Sequence, residues 1–250
     1  MMTAVNNDLL DDLKWRGLIA QTTDEAALRE ALKKPITLYL GTDPTAPSIH
    51  VGNLVPLLVM RRFQLAGHNP ILLVGGATGL VGDPSGRNDE RSLNDSAIVE
   101  QWVNRIKIQL SKFMDFDTKA NPATMANNLD WTAPLSTIAF LRDIGKHFSV
   151  NQMLNKDSVS SRLEKDGISY TEFSYQVLQS MDYLELFRRS DCTLQERCYI
   201  ARILSCRLRQ LKRDRCGVIT VIAILWTFEC DGLWRTSFEL TLCDGSCNER

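Results

Sequence analysis

The sequence predicts an α/β protein built on a parallel sheet covered by helices. Three observations predict it. Two short apolar runs of strand length, "ITLYLG" (36–41) and "PILLVGG" (70–76), each end in glycine. Between them, "VGNLVPLLVMRRFQLAG" places Val51, Leu54, Val55, Leu58 and Phe63 at helical spacing, as one buried helix face requires. Strand, helix and strand joined by short connections form the unit that builds parallel sheets, because a parallel return needs a crossover and the crossover helix covers the sheet.

The elements follow in order. Residues 6–34 read as two short helices. The second begins in "TTDEAALREALKK", where Thr22 and Glu25 have capping-box spacing, and Pro35 blocks its continuation. The strand at 36–41 opens into the loop "TDPTAPSIH", which leads to the first crossover helix. The strand at 70–76 opens into the glycine-rich "GGATGLVGDPSGR". Helical patterns then occupy about 96–114, 134–146, 149–164 and 171–189, the last capped by Thr171. No internal repeat or low-complexity linker interrupts them.

Composition sets the outer limits. A chain of 250 residues with 44% apolar content can bury a substantial core. A net charge of −1 gives no global attraction to nucleic acid or membrane, so such contacts would need a local patch. The acidic start "MMTAVNNDLLDDLKWRGL" lacks the basic and apolar segments of a signal peptide. The longest apolar run, "GVITVIAILWTF", is too short to span a bilayer. These features predict a cytoplasmic protein, no membrane partner and free thiols.

Three stretches could carry chemistry. "PTAPSIHVGN" joins a strand end to a helix start, where free backbone N–H groups favour an anion. Thr45 and His50 can add donors there, and Gly52 lets a flat ligand approach the backbone; equally, His50 could cap the helix and Gly52 could serve packing. "VGGATGLVGDPSG" has neither a P-loop lysine nor G-x-G-x-x-G spacing. Asp83 at its end would repel phosphate and suits an ammonium group, although a glycine turn needed only for its shape fits as well. In "TEFSYQVLQSMDYLELF", Tyr175, Gln179 and Asp182 share one helix face, which would either line a pocket or meet solvent.

Taken with "LLDDLKWRGLIAQTTDEAALREALKK", "TLYLGTDPTAPSIHVGN", "NNLDW" and "FLRDIGKHFSVNQML", these motifs make residues 8–195 resemble bacterial-type tyrosyl-tRNA synthetase. That resemblance implies a class I aminoacyl-tRNA synthetase catalytic domain, Rossmann-like, with helices on both faces of the sheet and usually a homodimer. It implies L-tyrosine and ATP as substrates, with Mg2+ on the ATP, and tRNA(Tyr) as partner. Tyrosyl-adenylate forms first, and the tyrosyl group then passes to the tRNA. No metal is expected on protein ligands, and no bound cofactor.

The resemblance also assigns residues. "HVGN" stands for the family's "HIGH" signature; Thr45 and His50 would stabilise the departing pyrophosphate, and Asn53 would reach the nucleotide ribose. Tyr39 and Asp182 match the pair that binds the phenolic hydroxyl. Asp83, Tyr175 and Gln179 match the ammonium cluster. Gly41, Asp43 and Gly52 match positions along the substrate and nucleotide site, while Asn128 and Gln195 match pocket-lining positions.

After Gln195 the resemblance stops. The family's "GGSDQWGN" segment is replaced by "ERCYIARI", and Lys212 is the only lysine after Lys165, so no "KMSKS"-type loop is present. Up to Gln195 the chain has 11 Arg and 9 Lys; beyond it, 8 Arg, 1 Lys and six of the seven cysteines. Residues 1–195 therefore read as an incomplete catalytic domain. Residues 196–250 read as an unrelated Arg/Cys-rich tail, without the anticodon-binding and C-terminal RNA-binding domains. Within that tail, Ile200, Ile203, Leu204, Leu208 and Leu211 have the spacing of a basic amphipathic helix. The expected function is tyrosine–tRNA ligase, with this chain itself inactive. The alternatives are a nucleotidylyltransferase, disfavoured by the Tyr175/Gln179/Asp182 helix, and a non-catalytic tyrosine-binding or dimerising fragment.

Overall fold

The computed structural model describes residues 8–19, 21–49, 51–81, 95–154, 159, 167–198 and 220–224. Its framework is a six-stranded sheet of β1 (Gln21–Thr22), β2 (Thr37–Thr42), β3 (Asn69–Val74), β4 (Thr124–Asn127), β5 (Cys192–Cys198) and β6 (Thr220–Ile224). The strands lie in the order β1-β6-β5-β2-β3-β4. All neighbours are parallel except the edge pair β1–β6. From β2 the chain steps outward to β3 and β4, then returns to β5 on the other side of β2. The order therefore reverses between β2 and β5, and the crevice beyond their carboxyl ends is where open α/β sheets bind ligands.

Helices cover both faces, as expected. Alternation along β2 sends Leu38 and Leu40 to one face, where they join Leu72, Val74 and Leu194. That face packs against Leu57, Met60 and Phe63 of α3 (Val51–Leu65) and Val99, Val103 and Ile106 of α5 (Ser96–Leu110). Leu9, Leu10 and Leu13 of α1 (Leu9–Trp15) and Leu28 of α2 (Glu25–Ala31) close the same cluster. Tyr39, Ile71 and Leu73 point to the opposite face, beneath Leu178, Met181, Tyr183 and Leu184 of a long helix at Tyr170–Ser190. Between them in sequence lie α4 (Gly76–Val81), α6 (Leu129–Thr132), α7 (Thr137–Ala139) and α8 (Val150–Leu154), so the long helix is α9.

Register decides what β5 offers to each face. Thr37 stands beside Cys192, but Leu38 stands beside Leu194, so Thr193 is accommodated in a bulge. Cys192 consequently joins the Tyr39 cluster while Leu194 joins the Leu38 cluster. Without the extra residue, Leu194 would lie opposite Tyr39, and Gln195 would enter the apolar layer under α3. The bulge puts Gln195 next to Tyr39.

Several local expectations need correction. Asp24, not Thr22, caps α2 by accepting from the Ala27 N–H at 2.9 Å, because Thr22 is held in β1. Ser169, not Thr171, caps α9, its hydroxyl accepting from the Glu172 N–H at 3.3 Å. The glycine-rich stretch after β3 is helical from Gly76, since the Asn127 and Asn128 side-chain oxygens accept its first free N–H groups from Gly76 (3.1 Å) and Ala77 (2.7 Å). The single helix expected at 134–146 is divided into α7, a wide π turn at Phe140–Ile144 and a 3-10 turn at Gly145–His147.

Beyond Gln195, β5 continues to Cys198, and Thr220–Ile224 adds β6 beside it. The proposed basic amphipathic helix at 200–212 lies outside the described residues, as do His50 and Asp83.

Candidate active site

The carboxyl end of β2 delivers Gly41, Thr42 and Asp43 to the crevice. A side chain at Gly41 would meet nothing within 4 Å, so its backbone is open to a flat ligand. Asp43 lies just past the strand. Its Oδ2 accepts from the Tyr175 hydroxyl at 2.7 Å and its Oδ1 from the Thr78 hydroxyl at 2.6 Å. Three separate segments (the β2 exit, α4 and α9) therefore meet at one carboxylate.

A second carboxylate, Asp182, stands on α9 seven residues after Tyr175. Asp182 is 3% exposed; its Oδ1 accepts from the Trp131 indole N–H at 2.9 Å and its Oδ2 from the Asn128 amide at 3.0 Å. Burial pushes its carboxyl up to about 7. The bonds from Asn128 and Trp131 counter that push, and the negative charge of Asp43 adds to it.

The two carboxylates are joined. The Asn128 amide also donates to the Thr78 hydroxyl oxygen at 3.1 Å, so Asp182, Asn128, Thr78, Asp43 and Tyr175 form one hydrogen-bonded chain. Glycine makes room for it. A Cβ at Gly75 would collide with the Asp43 carboxylate and the Thr78 hydroxyl, and one at Gly76 with the Asn127 amide.

Most of the predicted residues gather around this chain. Tyr39 is buried with its ring centroid 5.8 Å from that of Tyr183, and Gln195 is its lateral neighbour in β5. Gln179 is half-buried on the helix face shared by Tyr175 and Asp182. Thr45 is exposed in the loop leaving β2, where its N–H donates to the Asp43 carbonyl at 2.9 Å. Gly52 and Asn53 lie in the first turn of α3. The loop before α3 is tied down by Gln109, whose Oε1 accepts from the Ile49 N–H at 3.1 Å and whose amide donates to the Pro47 carbonyl at 3.3 Å.

Sequence reasoning missed Thr78, Trp131 and Gln109. Thr78 sits inside "GGATG", where attention goes to the glycines. Trp131 ends "NNLDW", and a tryptophan there looks like core. Gln109 gave no signal, since its partners are 60 and 62 residues away.

Among the described residues there is no group of three or more His, Cys, Asp or Glu able to hold a metal ion, and no helix is long and apolar enough to cross a membrane.

Comparison with known proteins bears on this geometry. Residues 30–195 match the family model described as tRNA synthetases class I (W and Y). Tyrosine–tRNA ligase 1 of Bacillus licheniformis is 62% identical over 188 residues, which is 75% of this chain and 44% of that protein. Tyrosine–tRNA ligase of Acidothermus cellulolyticus is 61% identical over 191 residues, covering 75% of this chain and 45% of its own length. The chain thus spans less than half the length of the curated relatives it matches. A C-terminally truncated mitochondrial tyrosyl-tRNA synthetase of Aspergillus nidulans superposes with a TM-score of 0.81 at 26% identity, over 90% of this chain and 71% of that one. With residues 30–195 matched to that family model and a parallel sheet of the expected kind, this chain belongs to the class I tRNA synthetases of the tryptophan and tyrosine group.

Proposed function

We propose that this chain carries the tyrosine-activating site of a tyrosine–tRNA ligase. The observation that carries the proposal is the pair of carboxylates gathered against one face of α9: Asp182 on the helix beside an apolar cluster, and Asp43 at the open end of β2 held by Tyr175. A bound L-tyrosine would place its phenolic hydroxyl against Asp182 and Tyr39. Its ammonium group would lie towards Tyr175, Gln179, Asp43 and Asp83, with Asn128 and Gln195 along the ring. The substrate carboxylate then faces the crevice, where it attacks the α-phosphate of ATP and pyrophosphate leaves. Thr45, His50 and the first turn of α3, with Gly52 and Asn53, suit the nucleotide and its leaving group, since donors fixed in advance stabilise charge as it develops. Mg2+ arrives with ATP as part of that substrate.

Transfer of the tyrosyl group to tRNA(Tyr), a cytoplasmic setting and a homodimeric state belong to the same proposal. So does a low rate for this particular chain: residues 196–250 hold one lysine, Lys212, and so lack a lysine-bearing loop of the kind the family uses to supply cations to the triphosphate. A catalytically silent tyrosine-binding form is the corresponding reading for the chain alone.

Calorimetry tests the pocket without requiring turnover. The chain is expected to bind L-tyrosine and to reject L-phenylalanine, because a missing hydroxyl leaves Asp182 and Tyr39 buried without it, at about 1–3 kcal/mol for each such group. Asp182→Ala should abolish tyrosine binding; unchanged binding would overturn the assignment. Tyrosine-dependent pyrophosphate exchange tests the second half. Little exchange is expected from residues 1–250, with recovery when 196–250 are replaced by the family's usual continuation.

A further inference from the structure

The hydrogen-bonded chain between the two carboxylates contains one group, Thr78, that has no place against the expected substrate. Thr78 is the third residue of α4 and 3% exposed. Its hydroxyl bonds no carbonyl of its own helix; both partners are side chains from other elements, Asp43 at the exit of β2 and Asn128 after β4. It is therefore not a helix cap, nor a threonine bonded back into its own helix.

The polarity of this chain is fixed. The Ala77 N–H can only donate, so the Asn128 oxygen must face it at 2.7 Å. The Asn128 NH2 must then donate to Thr78 and Asp182, and the single Thr78 proton goes to Asp43. A buried carboxylate held by directed donors loses rotational freedom, and a hydroxyl that accepts from one side while donating to the other transmits orientation between its partners. Gly75 leaves space for this contact, since any Cβ there would overlap both the Asp43 carboxylate and the Thr78 hydroxyl.

We propose that Thr78 is a positioning residue whose hydroxyl locks Asp43 and the Asn128–Asp182 pair into one arrangement, fixing the ammonium and phenol ends of the tyrosine pocket together. Neither carboxylate is then set independently. Disturbing the threonine hydroxyl alters Asp182 through Asn128 and Asp43 directly, while Thr78→Val keeps the side chain's shape in its buried site. The proposal rests on the tyrosine-pocket reading for its ligand, but the coupling itself can be read without ligand.

The experiment compares Thr78→Val, which keeps shape and removes the hydroxyl, with Thr78→Ser, which keeps the hydroxyl. The first readout is the Trp131 indole N–H resonance of the free chain followed against pH, since that N–H donates to Asp182 and reports its titration. The second is L-tyrosine binding by calorimetry, and thermal melting monitors the fold. Thr78→Val is expected to displace the indole midpoint by about half a pH unit or more and to weaken tyrosine binding about tenfold or more; Thr78→Ser should match the parent in both. If Thr78→Val fails to fold, Gly75→Ala takes its place, since it keeps the hydroxyl and pushes the contact apart. An unmoved midpoint, or Thr78→Ser behaving as Thr78→Val does, would overturn the proposal. Failure of the parent chain to bind tyrosine would overturn the pocket reading instead, and the indole midpoints would still decide the coupling.

Discussion

At the scale of single residues, Asp182 has the sharpest consequence. With its carboxyl pushed up to about 7 by burial, the free pocket is half-protonated near neutrality. The substrate phenol donates best to the ionised form, so the carboxyl must lose its proton before that bond is made. Tyrosine affinity is therefore expected to fall as pH drops below about 7, approaching tenfold per pH unit, and to level off between about 7.5 and 8.5. Calorimetry across pH 5.5–8.5 checks this; a flat profile below 7 would mean that Asp182 binds the phenol in its neutral form. Helical periodicity made the shared face of Tyr175, Gln179 and Asp182 legible, whereas Tyr39 and the role expected of each residue came only with the family resemblance. Thr78 was not legible, because a hydroxyl acquires its meaning only from partners 35 and 50 residues away.

At the scale of elements, α9 is the most informative. Its apolar and polar positions alternate at helical spacing over 21 residues, so its existence was plain from sequence. Its cap was misplaced by two residues because Ser169 and Thr171 are equally good capping types. It ends at Asp191, whose φ of 49° lies in the left-handed region and whose N–H returns to the Leu186 and Phe187 carbonyls. Glycine adopts that conformation at less cost. Asp191→Gly is expected to stabilise the chain by about 0.5–1 kcal/mol, read as a rise in melting temperature without change in tyrosine affinity. Strands β2 and β3 were legible as apolar runs between glycines. In contrast, β4 is only four residues long, and β5, "CTLQERC", mixes charge with cysteine and needs a bulge to fit. No periodic pattern announces such strands; their neighbours select them.

For the whole molecule, burial of ionisable groups makes stability depend on pH in opposing directions. Glu196 stands beside Leu40 and Ile222 with neither carboxylate oxygen hydrogen-bonded, and burial pushes it up to about 8. A carboxyl whose folded pKa is raised contributes fully below about pH 4.5, and that contribution is lost as pH rises through 8; Asp182 acts in the same sense up to about 7. Burial instead lowers His68 to about 4, so its contribution is complete above about 6.5 and is lost as pH falls. Between pH 7 and 8 Glu196 dominates, with a slope of roughly 1 kcal/mol per unit. Melting temperature should therefore fall across that interval, and Glu196→Leu should remove the fall and raise stability at pH 8 by a few kcal/mol. The proposed self-association also belongs to this scale. Ile138, Leu141 and Val150 are 68%, 47% and 56% exposed around the π turn, with Arg142 and Asp143 between them. An apolar patch with a polar rim suits a subunit interface. Sedimentation at micromolar concentration should find a dimer that Leu141→Asp converts to monomer.

The place of β5 in the sheet also has a kinetic consequence. Tyr39 and Gln195 are adjacent in space but 156 positions apart along the chain, and β2 lies between β5 and the earlier-made pair β3–β4. While the chain is being synthesised, β2, β3 and β4 can pair among themselves long before β5 exists. During that interval β2 presents an open, apolar edge with unpaired N–H and C=O groups. Non-local pairing of this kind is slow, because a long loop must be closed before any contact repays it. The proposed tyrosine site is thus among the last parts of the molecule to form, and the strand that brings Gln195 beside Tyr39 is also the one that covers the open edge of β2.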